Sequence, residues 1–115
     1  MSINNATRVL PETLRTVLFG AISGTYAALG TPLEHSAHAI ILQNLTDTTM
    51  VFSWNGTNDH QVLAAGTSLV LDVTANKTSS AGAFYIAKST QFWVKQLTAP
   101  SSGSVYLTAL YGRSV

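Results

Sequence analysis

Cysteine is absent from the chain, so neither a disulfide framework nor a thiolate metal site can form. Charge is scarce as well: charged residues make up 10% of the sequence, against roughly 25% in an average soluble domain. Charge normally keeps separate domains apart in solution, and a chain with this little is expected to work inside an assembly. The six basic residues, Arg8, Arg15, Lys77, Lys88, Lys95 and Arg113, are scattered rather than clustered and leave a net charge of +1. That distribution offers no electrostatic footprint for direct nucleic-acid binding. No apolar stretch approaches the roughly 18 residues of a membrane span, so no membrane partner is expected. Residues 1–7 lack the basic start and apolar core of a signal peptide, which predicts a soluble product made in the cytoplasm. Phosphate-cradling glycine loops and the nucleophile elbow are missing too, and neither a cofactor nor an enzymatic activity is expected.

What remains is a chain of 115 residues, 46% hydrophobic, whose polarity comes mostly from Thr, Ser, Asn and Gln. That length supports one ordinary core and not two. From residue 36 onward, short apolar runs alternate with turn-forming clusters about every 8 to 15 residues, the rhythm of a sandwich or barrel. Residues 38–45, 50–54, 68–73, 84–87, 91–97 and the segment after Gly103 read as strands. In the second of these Met50, Phe52 and Trp54 share one face and Val51 and Ser53 the other. Asn55-Gly56 closes it, since both residues tolerate positive φ. Residues 75–82 read as a loop, and Lys88-Ser89-Thr90 as a tight hairpin turn. In the last strand Val105, Leu107, Ala109 and Tyr111 face one way and Tyr106, Thr108 and Leu110 the other. Neither face carries charge, so the strand is expected to be covered on both sides, one cover being another subunit.

The N-terminal third is more ambiguous. Pro11-Glu12 could open a helix, but alternation over residues 14–22 favours a strand, with a second one near 26–29. Before residue 12 the chain is expected to be an extended arm, residues 1–11, that reaches a neighbour and orders on binding. Arg8 and Leu10 of that arm, with Tyr106, Thr108 and Leu110, form the expected interface. The predicted fold is therefore all-β: a single-domain antiparallel β-sandwich over residues 12–115, jelly-roll-like, with the arm attached.

Two constellations could carry chemistry. His35 and His38 beside Glu34 have metal-ligand spacing on a helix, but in a strand a spacing of three sends side chains to opposite faces, and no metal site is expected. Trp54, Asn55, Asp59 and His60 bring rings, amides and a carboxylate into one predicted exposed loop, a candidate contact site for a ligand such as a sugar. Asp59 and His60 could also imitate two members of a hydrolytic triad. Four Asn-x-Ser/Thr sequons, at Asn5, Asn44, Asn55 and Asn76, are read as products of an Asn- and Thr-rich composition.

Leu42-Gln43-Asn44-Leu45-Thr46-Asp47, Val51-Phe52-Ser53-Trp54-Asn55-Gly56, Leu69-Val70-Leu71-Asp72-Val73 and Ala99-Pro100-Ser101-Ser102-Gly103-Ser104-Val105-Tyr106, with Gly30-Thr31-Pro32-Leu33 upstream, resemble the small β-rich virion structural proteins of tailed bacteriophages. The resemblance implies a capsid decoration or cement protein, or a head-to-tail (neck) component, that packs as a homotrimer or symmetric ring. Its implied partners are other virion proteins (major capsid, portal or neck proteins), and its implied location is the virion. The alternatives are a receptor- or carbohydrate-binding module of a tail or fibre and, further off, a small hydrolase.

Overall fold

The computed structural model describes residues 7–73 and 85–114. Its strands are β1 (Thr7–Pro11), β2 (Arg15–Leu18), β3 (Ala27–Ala28), β4 (Ala39–Asn44), β5 (Met50–Ser53), β6 (Gln61–Leu63), β7 (Thr67–Asp72), β8 (Trp93–Gln96) and β9 (Ser104–Ser114). Each strand pairing is antiparallel. One sheet, A, runs β1-β9-β4-β7 with β2 also on β9, and the other, B, runs β3-β8-β5-β6. β1 lies against Leu110–Ser114 of β9 and β2 against Ser104–Leu107, both on the side away from β4. They are two halves of one edge strand, interrupted at residues 12–14. Taken that way, two four-stranded sheets in this order form a jelly roll, the predicted β-sandwich class.

Alternation drives the packing. In β4 the residues Ile40, Leu42 and Asn44 are buried while Ala39, Ile41 and Gln43 are partly exposed. Their partners on β9, Val105, Leu107 and Ala109, are buried with them, and Met50, Phe52, Leu63, Phe92 and Val94 close the core from the other sheet. Each fully buried side chain of this kind contributes about 1.5–3 kcal/mol.

A polar tie joins the two layers. Asn44, fully buried, donates from Nδ2 to the carbonyls of Thr48 and Leu63, both at 2.9 Å, and its Oδ1 accepts from the Thr46 N–H and hydroxyl. This satisfies the amide without water, and it removes one sequon from consideration, because a buried Asn cannot carry a glycan.

Several sequence expectations change. The strand predicted over 14–22 ends at Leu18, where a 3-10 turn, Phe19–Ala21, takes over and the Phe19 N–H donates to the Gly103 carbonyl. β6 was missed: it is three residues long and buries only Leu63, too short for alternation to register. Lys88-Ser89-Thr90 does turn, with Ser89 at φ 74° and the Thr90 N–H on the Ala87 carbonyl. The flanking segments are not a hairpin, however, since Ile86 bridges to Ala37 and β8 pairs with β3 and β5. Of the segment read as an arm, residues 7–11 form β1 within the chain's own sheet, and residues 1–6 lie outside the described residues, as does the loop predicted at 75–82.

Candidate functional site

Directly paired residues on neighbouring strands point to the same side of a sheet, so the register alone assembles the outward face of sheet A. Thr108, Ile41 and Val70 form one row across β9, β4 and β7, and Tyr106, Gln43 and Ser68 the next. Leu110 and Ala39 form a third, extended to Pro11 on one edge and Asp72 on the other. β2 adds Thr16 and Leu18. Asp72 is the only charged side chain among these residues. Tyr106, Thr108 and Leu110, grouped as an interface from the sequence, therefore do share one surface.

Arg8 and Leu10 do not belong to it. Leu10 pairs with Tyr111, which alternates to the opposite side of β9, and Arg8 lies two residues earlier on the same strand, so these two residues sit on the core-facing side of the sheet, beyond the core. The five residues expected to act together are split between two faces.

The expected contact loop is built differently from the sequence reading. Trp54 packs against the core, its ring centroid 5.3 Å from Phe92 and 5.5 Å from His60. Asn55 Oδ1 accepts from the Ser53 hydroxyl and from the N–H groups of Thr57 and Asn58, so its side chain shapes the turn. Gly56, at φ 76°, lies over Trp93, where an added Cβ would stand 2.9 Å from the indole. The Asp59 carboxylate accepts a hydrogen bond from the Tyr26 hydroxyl and meets Lys95 Nζ at 3.0 Å, and Lys95 lies 4.8 Å over the Tyr26 ring. The Tyr26 hydrogen bond, then that of Lys95, hold the Asp59 carboxyl below its ordinary range. Burial and the adjoining carboxylate push the Tyr26 phenol up to about 12. His60 Nδ1 accepts the Trp54 N–H at 2.9 Å. That nitrogen cannot also donate to Asp59 as a triad histidine must, so the pair is not arranged for hydrolysis. Trp54→Ala is expected to reduce stability by about 2 kcal/mol, below the full core value because the ring is half-buried; urea unfolding measures it.

A second polar cluster escaped the sequence reading. Glu12 is buried at the break between β1 and β2, and its carboxylate accepts from Arg15 at 2.8 Å, from the Glu34 and His35 N–H groups, and from His35 Nδ1 at 2.9 Å. Arg15 also donates to the carbonyls of Thr13, Thr31 and Pro32. Burial pushes the Glu12 carboxyl up, but the hydrogen bonds from Glu34, His35 and Arg15 outweigh it and hold the group below its usual value. A carboxylate only accepts, so His35 carries its proton on Nδ1. Its ring stacks on Tyr111, with centroids 3.7 Å apart. His35 and His38, predicted to diverge, line one open cleft of about 420 Å³ with Glu34, Ser36, Lys88 and Tyr111. Among the described residues, no three His, Asp or Glu side chains converge as metal ligands.

These features define a single-domain jelly-roll β-sandwich with one charge-poor sheet face. The chain matches no known protein family and no curated protein. Among solved structures it is similar to a chain from Bacillus endospore appendages, described as forming a novel family of disulfide-linked pili. The two share 16% identity with a TM-score of 0.50, and the likeness covers 99% of this chain and 96% of that one. At that identity the likeness is one of fold. The expected phage role is corrected by this finding: a structure whose fold matches 99% of this chain comes from bacterial endospore appendages, not from a capsid decoration, cement or neck component. Nothing in the likeness supports the capsid, portal and neck partners.

Proposed function

We propose that this chain is a non-catalytic structural subunit that self-assembles into a pilus-like extracellular appendage. The observation that carries the reading is the charge-poor outward face of sheet A on a jelly roll, a surface that desolvates against another subunit without stranding ions. The likeness in fold to a chain from disulfide-linked pili supports it. In one respect the chemistry must differ: with no cysteine, copies of this chain cannot be joined through disulfides, and the polymer is held by burial and hydrogen bonding. Purified chain, concentrated and examined by sedimentation and negative-stain microscopy, is expected to form large regular assemblies that survive a strong thiol reductant unchanged. A protein that stays monomeric at millimolar concentration overturns the proposal.

A further inference from the structure

We propose that the outward face of sheet A is where two copies of this chain pack back to back. The inference rests on the self-assembling reading and adds to it the geometry of the contact, the same face of two copies meeting about a two-fold axis. Three exposed large apolar side chains stand on its edge strands: Val9, which pairs with Gly112, is 69% exposed, Val70 64% and Leu18 59%. Between them stand uncharged residues of β4 and β9, centred on Ile41 and Thr108. A face this poor in charge can be covered by another surface without stranding ions.

The occupant follows from charge and area. A partner of another kind normally declares itself through complementary charge, and among the described residues this face carries one charged side chain, Asp72, on the edge strand β7 at the rim. An uncharged face matches itself. Packed against its own copy it forms an isologous contact, each residue meeting a symmetry-related one, with no ion left in the centre. β4 and β7 have six residues each, β9 has eleven, β1 five and β2 four. At about 3.3 Å per residue and 4.8 Å between strands, the face spans roughly 500 Å² in projection. Side-chain relief brings that towards the ~800 Å² per partner of a standard stable interface. The outward side of sheet B is a poorer candidate, since it carries Lys95, paired with Asp59, and the 54–58 turn covers Trp93.

Sedimentation velocity of the full chain, compared with Thr108→Lys, Val70→Lys and Val62→Lys, tests this. Thr108→Lys puts like charges at the centre of the contact. Val70→Lys does so at a position already exposed, where the fold tolerates lysine. Val62→Lys places the same charge on a 53% exposed residue of sheet B as a control. The expected result is self-association weakened at least tenfold in both sheet A variants and unchanged in Val62→Lys, with unfolding midpoints of Val70→Lys and Val62→Lys close to wild type. Association that persists in Val70→Lys overturns this surface while leaving the self-assembling reading in place. A wild-type chain that remains monomeric, or that associates only when a different protein is added, overturns both.

Discussion

Gly103→Ala is expected to lower the unfolding free energy by about 4 kcal/mol, at the upper end of what single substitutions do. Gly103 ends the turn before β9 with φ at +92°, and a Cβ built there would stand 2.0 Å from the Leu45 carbonyl oxygen. The backbone strain of a left-handed alanine costs about 1–3 kcal/mol by itself, and the clash adds to it because the obstructing atom is backbone and cannot rotate away. Nor can the turn simply move. The Gly103 carbonyl accepts the Phe19 N–H at 3.0 Å and the Ser104 carbonyl accepts the Leu45 N–H at 3.0 Å, so β2, β4 and β9 all depend on its position. Urea unfolding with an unchanged slope is the expected readout; a loss under 1 kcal/mol would show that the turn yields.

Glu12→Gln is expected to cost about 3 kcal/mol, the low end for breaking a buried pair by removing one partner. The substitution leaves the Arg15 guanidinium, 4% exposed, without its counter-charge, and turns an amide nitrogen towards groups that are themselves donors. The same carboxylate gives the stability its pH dependence. Its folded pKa lies below the ordinary 4.5. The folded state therefore binds the proton less readily than the unfolded chain. The stabilisation is fully present above about pH 4.5 and is lost as pH falls through the folded value. Asp47, held low by the Ser101 hydroxyl and N–H, and Asp59 act in the same direction. Wild-type protein should lose stability steadily on acidification below pH 4.5, and Glu12→Gln should show a visibly shallower acid limb in urea titrations. Equal slopes in the two proteins would remove Glu12 from this role.

The regular strands were legible because each carries a repeating instruction. In 38–45, 68–73 and the segment after Gly103, alternation runs long enough that a one-residue slip would exchange the core for the surface, and the observed registers place Ile40, Leu42, Leu107 and Ala109 inside. β6 was not legible, being three residues with one buried side chain. The candidate surface was half legible. Tyr106, Thr108 and Leu110 share a face by period alone, whereas Ile41 and Val70 join them only once β4 is known to lie between β9 and β7. The contact loop misled because composition cannot distinguish polar groups that await a ligand from those spent on building a turn, as in Asn55 and Asp59.

From the residues alone came the all-β class, the single domain, the inward and outward sides of the long strands and the impossibility of disulfides, all local or compositional properties. Only the tertiary structure decided that Arg8 and Leu10 face away from Tyr106, that Trp54 packs against the core, and that Glu12 gathers Arg15 and His35. These depend on pairings between segments tens of residues apart. Such pairings are selected by the free energy of the whole packed sandwich, and no stretch of sequence holds that information by itself.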